Sequence, residues 1–262
     1  MRVATFNISS GRAGDGRTDT ALLGDAVRTL DADLLSLQEV DRDQPRSGGA
    51  DLTRVVAEAM GAAHHVFAPA LFGTPGGRWT AATDHAGTEP DRGPAYGCAL
   101  VSRLPLHGVE VLRIPTLPVA LPLYVPGPGL VLVREEPRVA IVAGVETGDG
   151  RAFTVVATHL PFVPVWKQWQ LRKLAESLRG RPDPVLLLGD LNLRRDAAVR
   201  ASGYASLAAA LTFPAARPRL QLDHVLLRGP AEALGPVLRV STPEVPVSDH
   251  RPLVVDVGPD LG

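Results

Sequence analysis

Apolar residues gather along this chain in short unbroken runs, and several of those runs stop at a polar side chain. VATFN ends at Asn7, LLSLQE at Glu39, FTVVATH at His159, and VLLLGDLN at Asp190 and Asn192. Apolar runs without alternation predict strands buried on both faces. Near the C-terminus Asp223 lies within LQLDHVLL, and Asp249 and His250 directly precede the run PLVVDV. Open α/β folds place ligands where strand ends converge on one rim, so these polar groups are read together as one site. Gly-Asp-x-Asn alone is equally a turn sequence; the repeated layout carries the reading, not the tetrapeptide.

Between the strands the spacing changes to that of helices. Thr20–Leu30 has apolar residues at 23, 26, 27 and 30, and Asp51 is placed to cap a helix with apolar residues at 52, 55, 56 and 59. A third helix over 165–179 buries Leu171, Leu174, Ala175 and Leu178. Further strands are predicted over 34–38, 97–102, 109–114, 138–146 and 152–159. Residues 73–94, rich in Gly and Pro, predict a long loop, a feature that in compact domains is usually functional or disordered. Residues 115–133 combine five prolines with Leu, Val and Tyr124. They predict a rigid apolar loop folded against the core, or alternatively a wall of a substrate cleft. Residues 194–218 are Ala-rich and predict short helices and loops.

Composition narrows the picture. The 262 residues suffice for a sizeable core and carry 27 basic against 28 acidic side chains, with a sequence pI near 6.7. No block of like charge marks a nucleic-acid tail. Lys167 and Lys173 are the only lysines, a bias toward arginine rather than a signal about partners. The single cysteine, Cys98, excludes an internal disulfide framework and a zinc cluster built on thiolates. No leader pattern precedes the first strand and no apolar run reaches the length of a membrane span, so the chain as given reads as soluble and cytoplasmic.

Seven motifs follow one another from Thr5 to Pro252: T-x-N, L-Q-E-V, Y-G-x-A-L-x-S-R-x-P, A-T-H-L, G-D-x-N, L-D-H and S-D-H-R-P. In this order they resemble the endonuclease/exonuclease/phosphatase superfamily, which includes pancreatic deoxyribonuclease, abasic-site endonucleases, neutral sphingomyelinases and inositol-polyphosphate 5-phosphatases. The resemblance implies an α/β fold in which two mixed sheets pack as a sandwich flanked by helices, the deoxyribonuclease-like four-layer arrangement. Because motifs at both ends belong to one site, residues 1–262 are expected to form a single domain.

The resemblance also implies a magnesium-dependent phosphoester hydrolase, with manganese as a substitute. Magnesium suits phosphoester chemistry because it prefers oxygen ligands and keeps waters for the substrate. Glu39 is then the principal metal ligand, with Asn7 and Asp249 completing the metal environment directly or through water. Asp223 pairs with His250 and fixes its tautomer. Asp190 competes with His250 for the role of general base. Asn192 holds the phosphate or the attacking water, His159 contacts the phosphate and stabilises charge on the leaving side, and Arg138 lies near the phosphate. Lys167 and Gln170 match a structural basic-x-x-Gln pattern. Cys98 stands where the family commonly has Asn, and where some nucleases have an acid that holds the histidine of A-T-H-L; a thiol is a weak hydrogen-bond partner.

Proteins that grip duplex DNA neutralise several phosphates with clustered cations. Here arginines are scattered and the segments 73–94 and 115–133 are largely apolar, which favours a small or lipid-like phosphoester over a polyanionic strand. Arg12, Arg17, Arg78, Arg92 and Arg194 are the residues that could assemble a basic patch on folding, and a nuclease is the alternative. A catalytically silent module that binds a phosphorylated ligand or a protein is the alternative from another class.

Overall fold

The computed structural model describes residues 1–83, 93–116, 120–125 and 129–258. Arg92 and the middle of the predicted 73–94 loop lie outside the described residues. In chain order the first elements are β1 (Arg2–Asn7), α1 (Thr20–Leu30), β2 (Leu34–Arg42), α2 (Leu52–Met60), β3 (His64–Gly73), β4 (Trp79–Ala81), β5 (Ala95–Ser102) and β6 (Leu106–Ile114). There follow β7 (Ala120–Val125), β8 (Gly129–Arg134), β9 (Arg138–Glu146), β10 (Ala152–His159), α3 (Trp166–Ser177) and β11 (Val185–Asp190). The last are α4 (Arg195–Ser202), β12 (Ala205–Ser206), β13 (Asp223–Arg228), β14 (Val237–Ser241) and β15 (Leu253–Val257).

Two mixed sheets hold the chain together. A seven-stranded sheet has the order β14-β15-β1-β2-β5-β3-β4 and a six-stranded sheet the order β12-β13-β11-β10-β9-β6. The unbroken apolar runs follow from where their two faces go. Val3, Leu34, Leu100, Val155, Leu186, Leu188 and Val225 meet between the sheets. Alternate residues Ala4, Phe6, Leu35 and Leu37 pack outward on Leu23, Val27 and Val56 of α1 and α2. Val156, Leu187 and Leu226 pack outward on Leu171 and Leu174 of α3. Helix, sheet, sheet, helix is thus the layering, and each central strand is apolar on both sides because both sides are buried.

The predicted cap forms, Asp51 accepting from Arg54 N at 3.1 Å, and Asp19 caps α1 in the same way by accepting from Leu22 N at 2.9 Å, each meeting an amide the first turn leaves unpaired. Three elements differ from the sequence reading. β3 carries Pro69, which argues against a strand, but the pairing with β5 slips between Pro69 and Leu71, and such an irregularity tolerates the missing donor. β4 turns part of the expected 73–94 loop into a hairpin with β3. Ala120–Val125 and Gly129–Arg134 form a separate two-stranded ribbon instead of an irregular apolar loop. Pro122 fits there because each strand of a ribbon has a neighbour on one side only.

Candidate active site

Strand direction brings the polar ends together. β1 and β2 are parallel, with Asn7 opposite Gln38; β10 and β11 are parallel, with His159 opposite Asp190. Asp190 in turn lies opposite Asp223 of the antiparallel β13. Three of these side chains therefore sit in a row at one edge of the six-stranded sheet. Glu39 reaches the site by another device. The pairing of β2 with β5 slips between Leu37 and Val40, and Glu39 takes φ 55°, a left-handed conformation that turns it out of the ladder. Gly189 is required by close approach, since a Cβ there would lie 2.0 Å from the carbonyl oxygen of Thr158.

Hydrogen bonds then join the two sheets. The Asn7 amide donates to Glu39 Oε1 at 3.2 Å and to Asp190 Oδ2 at 3.1 Å, while its oxygen accepts from Ser9 N at 3.0 Å. Asp190 Oδ1 accepts from the backbone of Asn192 at 2.9 Å. His250 Nδ1 lies 2.9 Å from Asp223 Oδ2, so the expected Asp-His contact forms. Its backbone donates to Ser248 Oγ at 3.1 Å, and that hydroxyl donates to Asn7 O at 2.6 Å. The Asn192 amide donates to Leu160 O at 2.9 Å, and Lys167 Nζ donates to Asn192 O at 2.6 Å. Arg138 reaches His159 Nδ1 at 3.1 Å. A cavity of about 460 Å³ opens beside this cluster, lined among others by Ser9, Arg12, Glu244, Ser248 and Asp249.

Residues 4–250 match the model of the Endonuclease/Exonuclease/phosphatase family. The chain belongs to that family. It is thereby a phosphoester hydrolase by membership, and members are in general dependent on a divalent cation. No curated protein sequence matches it. Among solved structures, an endonuclease/exonuclease/phosphatase protein from Beutenbergia cavernae DSM 12333 superposes with a TM-score of 0.68 at 24% identity, over 98% of this chain and 71% of that one. A mannosyl-6-phosphatase from Bacteroides thetaiotaomicron VPI-5482 gives 0.62 at 19% identity, over 98% and 99%. D. rerio TDP2 complexed with a single-strand DNA product gives 0.60 at 15%, over 99% of both chains. Likeness at these identities establishes the shared sandwich.

Burial sets the protonation of this family member's polar cluster. Asp190 is pushed up to about 7, first by burial and then by the neighbouring Asp223 charge, against the pull of His250 and the bonds from Asn7 and Asn192. Burial alone would lower His250, but Asp223 in contact, with Asp190 and Asp249 nearby, raises it to about 9. His159 is held well below 6.5 by burial, then by Arg138 and His250. A neutral His159 facing a guanidinium must accept at Nδ1, so its proton is at Nε2, 3.5 Å from Asp190 Oδ2. That approach is a long contact of a neutral ring rather than an ion pair.

The donor set suits a hard divalent cation. Glu39, Asn7 and Asp190 offer oxygen atoms, Asp223 Oδ1 is buried without a partner among the described residues, and two buried carboxylates crowd each other enough to raise Asp190. Ligand atoms of Asp190, Asp223 and His250 lie within 4.8 Å of one another. Asp249 is exposed, lines the cavity wall and acts on His250 through its charge; it stands outside that tight group. No helix among the described residues is long and apolar enough to cross a membrane.

Sequence reasoning missed two participants. Ser248 belongs to the S-D-H-R-P motif, which could have flagged it as the hydroxyl that ties His250 to β1. Phe213, whose ring lies 4.8 Å from that of His250, follows an Ala-rich stretch with no periodicity to mark it. Cys98 is buried, and burial pushes its thiol up to about 12. The ring of His159 is oriented by Arg138 instead.

Proposed function

We propose that this family member is a magnesium-dependent hydrolase of small organic or lipid-type phosphoesters, with manganese as a substitute cation, acting as one domain. The observation that carries the reading is the junction at Asn7, whose amide bonds Glu39 in its own sheet and Asp190 in the other. Groups able to hold a cation and groups able to move a proton meet there. Glu39 and Asn7 would hold the cation, with Asp249 at the cavity wall, and it would neutralise phosphate charge and stabilise the leaving oxygen. The tighter group of Asp190, Asp223 and His250 is read as proton-handling, because Asp223 is already engaged with the imidazole.

Asp190 is the better general base. Its two oxygens are fixed by Asn7 and Asn192, and a pKa of about 7 suits a group that must take a proton at neutral pH. As a water oxygen bonds to phosphorus its proton passes to Asp190, and the bond from phosphorus to the leaving oxygen breaks. His250 is protonated below about pH 9 and so donates to phosphate instead of accepting from water. His159 donates through Nε2, Asn192 through its amide, and Arg138 positions His159.

The near-neutral charge and apolar 115–133 segment support a small or lipid-like ester, and a sugar-phosphate phosphatase among the structural neighbours accords with that. The test is magnesium-dependent turnover of a chromogenic phosphodiester, beside phospholipid, sugar-phosphate, inositol-phosphate and nucleotide panels and plasmid nicking at two salt concentrations. Turnover of small esters with at most weak nicking is expected. Efficient, salt-sensitive nicking without small-ester turnover assigns the nuclease, and ligand binding without turnover of any ester assigns the silent module.

A further inference from the structure

Many arginines of the described residues sit in ion pairs. Arg2 pairs with Asp256, Arg46 with Asp41, Arg103 with Asp31, Arg151 with Asp149, Arg228 with Asp183 and Arg251 with Glu244. Arg194, Arg217 and Arg219 depart from this pattern. All three are exposed, none is in an ion pair with a carboxylate among the described residues, and all three line one cavity of about 720 Å³ together with Pro214, Ala216 and Leu220.

That cavity is tied to the reaction centre through its neighbours in the chain. Arg194 comes two residues after Asn192. Arg217 and Arg219 lie in the loop closed by the Phe213–Leu220 bridge, and the Phe213 ring rests on His250. The loop is pinned on all sides. Leu220 N donates to Phe213 O at 2.9 Å, Arg219 N to Phe213 O at 2.8 Å, Ala215 N to Asp249 O at 2.7 Å, and Arg251 N to Thr212 O at 2.8 Å. Its opposite side, at Ala215 and Ala216, faces the cavity that holds Glu244 and Asp249. The same loop therefore borders both cavities, with Ala216 in the lining of each.

We propose that the Arg194, Arg217 and Arg219 cavity is a second anion subsite, and that the substrate is a small phosphoester carrying a second phosphate beside the one cleaved. The inference rests on the phosphoesterase reading above. Guanidinium groups match phosphate oxygens through paired N–H donors, and three of them around one open cavity suit one dianion. A duplex backbone would need cations spaced along a groove. Pinning the loop before the ligand arrives lowers the ordering cost of binding. The second phosphate also gives specificity, since an ester without it leaves three cations unmatched.

The test compares a sugar bisphosphate with the corresponding sugar monophosphate in wild type, Arg217→Gln/Arg219→Gln and Arg194→Gln, beside calorimetric titration with orthophosphate. An exposed charge pair is worth about a threefold to fivefold factor, so the ratio of kcat/KM for bisphosphate over monophosphate falls about tenfold in the double variant, through KM. It falls less in Arg194→Gln. Orthophosphate titrates two sites in wild type and one in the double variant. Esters that are still cleaved at an unchanged ratio overturn the subsite. If no ester is cleaved by wild type, the phosphoesterase reading fails, and retention of both orthophosphate sites in the double variant separately overturns the subsite. Loss of salt-sensitive oligonucleotide cleavage with an unchanged ester ratio overturns it in favour of a strand-binding groove.

Discussion

His159 owes its chemistry to a neighbour that sequence spacing could not pair with it. Arg138 lies 21 positions earlier, yet antiparallel β9 and β10 bring its guanidinium to Nδ1 and leave the proton on the far nitrogen. Arg138→Met is expected to lower kcat about tenfold to a hundredfold, because the ring loses the contact that selects its tautomer. Cys98→Ala should change turnover by less than about twofold, since the buried thiol meets the backbone of His159 while Arg138 holds its ring. Steady-state rates on one chromogenic ester decide both, and a larger loss at position 98 than at 138 would reverse the assignment. His250 makes a pH prediction. Its folded pKa of about 9 lies above the ordinary 6.5, so the stability it contributes is fully present below pH 6.5 and is lost as pH rises through 9. Asp190, raised to about 7 from 3.8, acts with the same sign: its contribution is present below pH 3.8 and is lost as pH rises through 7. Melting temperatures without added cation should therefore fall steadily between about pH 4 and 9. In Asp223→Asn the ring titrates lower, and imidazole NMR signals would reveal a failure of that shift.

At the scale of elements, what was legible depended on whether a segment's pattern matched its surroundings. Thr20–Leu30 and the helix after Asp51 were readable because one face is buried and a carboxylate caps the first turn. The ends of β1, β10 and β11 were readable because apolar runs stopped at chemistry; β2 was expected to stop before Glu39 but runs on to Arg42, with Glu39 inside it at the slip. β3 was not readable, because Pro69 breaks the pattern where the pairing slips, and the ribbon of Ala120–Val125 and Gly129–Arg134 was not, because a proline-rich sequence imitates a loop. Nor could the sequence show why residue 189 is Gly. It reads as a turn former, but it lies inside β11 and its lack of a side chain lets Thr158 approach. Gly189→Ala should drive β10 and β11 apart, cost about 1–3 kcal/mol of stability and depress turnover by shifting His159 against Asp190. Denaturant titration beside a rate assay checks it. The slip in β2 makes the matching statement for Glu39. Glu39→Gln keeps the left-handed backbone and the shape, so the melting temperature should barely move while metal-dependent kcat/KM drops at least about a hundredfold; near wild-type turnover would remove Glu39 from cation binding.

Across the whole molecule the site is shared between the sheets. Asn7 and Glu39 come from the seven-stranded sheet and Asp190 from the six-stranded one. His250 precedes β15 in the first, and its partner Asp223 begins β13 in the second. The family order of motifs made this set of residues legible. Which residues bond to which was not, because register and the face-to-face packing of the sheets are long-range results of folding. Asp223→Ala and His250→Ala should cost similar factors and, combined, little more than either alone, since the two act as a unit; a double variant showing the product of the single losses would dissolve the pair.

The bonds that cross from Asn7 to Asp190 and from His250 to Asp223 are rivets along one open seam. Lettering written across the fore-edge of a book loses its text when the covers shear slightly, long before the pages come loose. Volume-conserving replacements deep between the sheets, such as Leu186→Met, should accordingly appear as slower enzymes with little change in melting temperature, and rate rather than melting temperature is the finer gauge of how the two halves align.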